Sequence, residues 1–177
     1  AVTGQTNDVP MFHTEVQAPQ VSVGGLLEAV EANPGRIILA GVKYQLPYQV
    51  AGTHLINTGY TTLGELYAYA FYRQSVLGSN SFTRPRPQSW LLSGNTISLT
   101  STGLIGNLVI DTTLVATNAN LGFEYASDEG FSITNVTITD AAAGNIQIKL
   151  NGTPAGPGTR AIRYAYTGGP FGPISTG

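Results

Sequence analysis

Residues 48–71 read YQVAGTHLINTGYTTLGELYAYAF, and one of the chain's two histidines, His54, stands there just ahead of a helical pattern. An imidazole at such a place can act as a general base, taking the proton from a hydroxyl that then attacks an acyl carbon. The chemistry needs a nucleophilic oxygen at one ring nitrogen and a carboxylate at the other to fix the tautomer. His13 and Glu15 could join His54 as metal ligands. Two histidines on separate segments are a weak metal signal, however, and a strand histidine is more often a polar-face residue. Asp128, Glu129 and Asp140 could bind calcium or act as paired carboxylates. The stretch SDEG has ordinary hairpin-turn composition and lacks the alternating oxygen ligands of a calcium loop, so a turn is expected. No GxxxxGK[ST] or GxGxxG loop is present to cradle phosphate, and with no cysteine there is neither a thiol nucleophile nor a zinc-thiolate site.

Aromatic residues offer a second kind of chemistry. Tyrosines and Trp90 can stack on the apolar faces of sugars while their polar edges form hydrogen bonds. Tyr67, Tyr69 and Tyr72 fall on or beside a helical core stripe, and Tyr164 and Tyr166 share one strand face, so packing is the expected role for most of them. Asn135 and Asn151 lie in Asn-x-Thr sequons, which occur by chance in a Thr- and Asn-rich chain.

The elements that must position these residues fall into two regimes. In the first, PMFHTEV (10–16) reads as a strand and SVGGLLEAVEANPG (22–35) as a helix, with Ser22 as N-cap, Leu26, Leu27 and Val30 on one face, and Pro34 ending it. RIILAGVKY (36–44) is an apolar run of the kind seen in covered parallel strands. Thr62 and Glu65 have capping-box spacing and predict a helix start there. Leu63, Leu66, Tyr67, Ala70 and Phe71 form its stripe, and Gly78 is a left-handed stop. Two strands and two helices make a thin sheet, only part of an α/β layer.

NSFTRPRPQSW (80–90), with two prolines two apart, predicts an extended linker. From Trp90 on the period becomes two. Ile97/Leu99, Leu108/Ile110, Phe123/Tyr125, Ile146/Ile148/Leu150 and Ile162/Tyr164/Tyr166 alternate with polar residues between turn signals, which predicts a small antiparallel β-sandwich. In FSITNVTIT the parity slips, predicting a bulge near Asn135. The expected division is thus an α/β segment over 1–82, a Pro-rich linker over 83–90 and a β-sandwich over 91–177, an α+β chain taken as a whole.

The strings IILAGVKYQLPYQVAGTHLINTGYTTLGELYAYAFYRQSVLG and, further on, GNTISLT, LGFEY, ITNVTITD and TRAIRYAYTG resemble the C-terminal part of SGNH (GDSL-type) hydrolases with a trailing β-sandwich. The likeness is greatest to sialate O-acetylesterase-like sugar esterases. It implies a truncated SGNH-like α/β segment in which His54 matches the family's base. The orienting Asp of the family's Asp-x-x-His motif would fall at Ala51. Loss of that carboxylate costs about 10⁴-fold in a well-studied triad. The family's serine lies far upstream of this motif. GQTN (4–7) resembles its Gly-Gln-Ser-Asn block with Thr6 for Ser, but no strand precedes it and the separation from His54 is too short. His54 is therefore expected to be vestigial, hydrogen-bonded locally, and ester hydrolysis by this chain alone is not expected.

Composition narrows the partners. A net charge of −2 with eight scattered Lys and Arg argues against nucleic acid, and the apolar runs are too short to cross a bilayer. No cofactor or metal is expected. Only 10 % of residues are charged, against about a quarter in average proteins, with Gly, Thr, Ser and Asn in their place. That profile suits large extracellular assemblies. The resemblance associates esterase-plus-sandwich chains with bacteriophage virion and tail proteins as well as bacterial esterases. The expectation is a non-catalytic structural or adhesive protein, a head decoration or tail appendage, located in a virion or outside the cell. It would work through protein partners or self-association and through contact with surface glycan. The alternative is the C-terminal piece of a carbohydrate O-acetylesterase whose serine lies on another segment. A start at Ala1 without Met is compatible with processing, excision or trimming.

Overall fold

A computed structural model describes residues 9–15, 20–49, 54–78, 84–112 and 120–164. The chain is α+β and divides into two compact units between Arg84 and Pro85.

In the first unit, strand β1 (Met11–Glu15) pairs in parallel with β2 (Ile37–Val42), joined by helix α1 (Gln20–Ala32). A parallel pair requires such a crossover. The apolar run of β2 supplies the buried Ile38 and Ala40, as expected of a covered strand. The α1 helix begins at Gln20, so Ser22 lies inside it and is not its cap. Serine is tolerated within a first turn and marks a boundary only where the chain enters it extended. Leu27 on the expected apolar face is exposed. Asn33 Nδ2 donates to the Ala29 carbonyl at 2.9 Å, and Gly35 at φ +78° turns the chain into β2.

Helix α2 (Asn57–Phe71) starts five residues before the Thr62–Glu65 box, which therefore sits in its interior. Contacts of the preceding loop fix the earlier start. Ile56 N donates to the Pro47 carbonyl at 3.1 Å, and the isolated bridge of Tyr48 with Leu55 holds the chain extended up to Ile56. Gly59 makes the close approach possible, since a Cβ there would stand 2.6 Å from the Pro47 oxygen. Of the expected stripe, Ala70 is buried against Ile38 and Ala40 with Tyr67 packed beside them, and Leu66 closes on Gly41. Phe71 is half exposed, with its ring tilted against Phe12 at 5.9 Å. The helix continues as a π-helical turn over Tyr72–Val76 and stops at Gly78, φ +64°, as its left-handed signal implies.

The second unit is the sandwich. One sheet has the order β3 (Arg86–Ser93), β4 (Thr96–Thr102), β7 (Asn145–Leu150), β6 (Ile133–Asp140), and the other pairs β5 (Phe123–Ser127) with β8 (Arg160–Tyr164), all antiparallel. Inward residues of both sheets, Ile97, Leu99, Ile148 and Leu150 from one and Phe123 from the other, make one core. The alternation read in the sequence produces this, because one face of each strand is covered. The bulge expected near Asn135 is present as a register shift between Ile133 and Asn135.

Two expectations fail here. Residues 86–90, read as linker, belong to β3, because an edge strand tolerates proline where its register slips, and the slip lies between Pro87 and Ser89. Leu108 and Ile110 form no strand. That stretch is irregular, with Val109 and Ile110 exposed, and Leu108 N is held by the Ala141 carbonyl at 2.9 Å.

Candidate functional site

His54 closes the loop between β2 and α2. Its carbonyl accepts from Gln49 N at 2.9 Å, one link of the short antiparallel contact that also pairs Tyr48 with Leu55. The local hydrogen bond is thus made by the backbone. The residue itself is exposed, and among the described residues no hydrogen bond or ion pair reaches its imidazole. Ala51 and Thr6 lie outside the described residues, as does Tyr166.

Behind this loop is a group that sequence reading missed. The Tyr48 phenol oxygen is buried with no hydrogen-bond partner among the described residues, and burial, then the nearby Tyr60, pushes its pKa up. No sequence signal marks such a group, because its burial comes from the loop's folding back on itself.

His13 is half-buried on β1, and among the described residues no group of three or more His, Asp or Glu gathers to hold a metal ion. The acidic residues of the sandwich do turn work. Asp140 Oδ1 accepts from Ala143 N at 2.9 Å, and Glu129 receives Ala155 N at 3.1 Å and Gly156 N at 2.9 Å. Arg160 grips both Glu129 oxygens and also donates to the Gly156 carbonyl, so three hydrogen-bonding groups converge on one carboxylate. The guanidinium and the two amides hold the Glu129 pKa down at about 2, and the Arg160 pKa is raised in return. A carboxylate so occupied is a clamp for the 155–160 loop.

The aromatic residues behave differently from the packing expectation. Trp90 and Tyr164 are 47 % and 50 % exposed, and both line a groove of about 190 Å³ on the sandwich. The buried Leu99 and Phe123 and the exposed Gln88 are among its lining. The Phe123 and Tyr164 rings tilt at 59° with centroids 5.0 Å apart, so the exposed tyrosine is anchored to the core. The groove follows from strand count. Trp90 is paired with the buried Leu99 and shares its inward face, yet it stays half exposed, since among the described residues a two-stranded sheet faces a four-stranded one.

No protein-family model matches this sequence, and no curated protein matches it. Among solved structures, the chain is similar to the crystal structure of a novel carbohydrate acetylesterase from Xanthomonas citri, with a TM-score of 0.63 and 14 % identity. The fold is esterase-like. The alignment covers 96 % of this chain and 39 % of that one, so this chain spans about two-fifths of that protein's length.

Proposed function

We propose that this chain is a non-catalytic structural and adhesive unit on a carbohydrate-esterase-like fold, working through surface contact with partner proteins and glycans. The exposed His54 imidazole carries this reading, because no described hydroxyl or carboxylate touches it. A base without an acyl-accepting oxygen beside it and a carboxylate behind it has nothing to activate. The position three residues earlier is Ala51, whose methyl group cannot orient the ring. The assembly context we propose is a virion or extracellular one, as a head decoration or tail appendage. Low charge supports it, and so do the exposed Phe71, Tyr72, Val76 and Leu77 at the end of α2, since clustered apolar surface marks interfaces.

A second reading is favoured by the alignment with 39 % of an acetylesterase. Here the chain is the C-terminal part of such an enzyme, and His54 meets a serine carried on another segment. A chromogenic acetyl ester assay separates the two. The scaffold reading expects no hydrolysis above background from the chain and no change on His54→Ala. A rate that disappears with His54→Ala overturns it.

A further inference from the structure

We infer that the mouth of the β-sandwich, between edge strands β3 and β8, is a binding site for a single neutral pyranose ring stacked on Trp90 and Tyr164. The inference deepens the glycan contact proposed above and rests on it.

Three observations lead there. Two large aromatic side chains remain about half exposed on one groove although the adjoining core is well filled, and exposing such rings is costly unless something covers them. One of them is fixed, since Tyr164 leans on Phe123 and stands over Gly122, whose Cβ would lie 3.1 Å from the ring. A preset platform loses little entropy on binding. About 190 Å³ lies below the roughly 300 Å³ at which pockets for drug-sized ligands begin, which limits the occupant to something small such as a single ring.

Charge selects the chemistry. Among the described residues lining the groove Arg163 alone is charged, and its place between Ile162 and Tyr164 on β8 turns its side chain to the other face of the strand, so no charged side chain shares the face that Tyr164 presents to a phosphate or a carboxylate. What remains is apolar ring surface with Gln88 in the lining, beside two strands that each have one strand neighbour among the described residues. That combination matches a ligand with an apolar face and a belt of hydroxyls. The slip between Pro87 and Ser89 places Gln88 where the ladder is interrupted, a usual way for an edge strand to aim a side chain.

Trp90 is the chain's single tryptophan, so its emission reports this groove alone. The full chain is titrated with glucose, galactose, N-acetylglucosamine and their disaccharides, with glucuronate and an aromatic peptide as controls. A saturable emission change with at least one neutral sugar is expected, weaker with glucuronate, together with amide NMR shifts confined to β3 and β8. Calorimetry on Trp90→Ala should find at least a tenfold loss, and on Gln88→Ala a several-fold loss, with unchanged circular dichroism. The site is overturned if no neutral sugar changes Trp90 emission, if Trp90→Ala binds sugar like the parent, or if emission responds to the peptide or to protein concentration alone. Binding to an insoluble polysaccharide that survives Trp90→Ala would remove this site while leaving glycan contact elsewhere in place. Ester hydrolysis dependent on His54 would remove the scaffold reading and not this site.

Discussion

Arg160 holds both oxygens of Glu129, with Nε 3.0 Å from Oε2 and Nη2 3.1 Å from Oε1, across 31 residues of sequence. The pair joins the turn after β5 to the start of β8, and two backbone amides complete it. A bidentate carboxylate that also accepts amide hydrogens is far better organised than an ordinary surface ion pair.

The first prediction concerns acid. In the folded protein the Glu129 pKa is about 2 against an ordinary 4.5, so between those values the unfolded chain binds the extra proton. The clamp's contribution is complete above pH 4.5 and is lost as the pH falls toward 2. Glu129→Gln should therefore lower the melting temperature at pH 7 and flatten the fall in melting temperature between pH 5 and 2. An acid limb identical to the parent's would show that the pair adds nothing.

Ile148 is fully buried at the centre of the sandwich core. Ile148→Ala should cost about 2–5 kcal/mol, the removed methyl groups plus the cavity they leave. The exposed neighbour gives the contrast, since Lys149→Ala should stay within about 0.5 kcal/mol. Urea unfolding of both variants measures the difference, and equal midpoints would refute the assignment of the inward face.

For Gly59, two effects oppose each other. Alanine is better than glycine inside a helix by about 1 kcal/mol. The new Cβ, however, would stand 2.6 Å from the Pro47 carbonyl oxygen, and backbone cannot swing aside like a side-chain tip. Overpacking costs about 1–3 kcal/mol, so Gly59→Ala should destabilise on balance and disturb the loop that carries His54. Gly64→Ala, with open space at its Cβ, should instead be neutral or stabilising. Thermal melts of the two variants should move in opposite directions.

The pattern of success and failure in reading the sequence has a physical basis. The sandwich strands were legible because period-two burial leaves its mark on every inward position, as at Ile97, Leu99, Ile148 and Leu150. β2 was legible as an apolar run, and Gly78 as a stop. The start of α2 was misread because Thr62 and Glu65 have capping spacing by composition alone. The real boundary is set by Pro47 and Tyr48, ten and nine residues upstream of Asn57, a relationship local patterns do not encode. β3 was hidden by Pro85 just before it and Pro87 within it, the latter excused by an edge position. Tyr164 looked like core because its parity is inward, and among the described residues the unequal width of the two sheets leaves it and Trp90 open. The Glu129–Arg160 clamp joins residues too far apart for any spacing rule.

Tyr48 supports the final prediction. Its hydroxyl oxygen is buried with no hydrogen-bond partner among the described residues, and an unmet polar group in such a place costs about 1–3 kcal/mol. Tyr48→Phe removes only that oxygen and keeps the ring, so stability at pH 7 should be unchanged or rise, by at most about 2 kcal/mol. The ionisation works in the same direction. Burial, then Tyr60, raises the phenol pKa above the ordinary 10.0, so the unfolded chain releases its proton first. The parent therefore keeps this contribution below pH 10.0 and loses it as the pH climbs through the folded pKa, and Tyr48→Phe should lose less stability on the alkaline side. Urea midpoints at pH 7 and above pH 10 measure both effects. A clear loss of stability at pH 7 would mean that the hydroxyl has a partner, and that the loop beneath His54 is held by it.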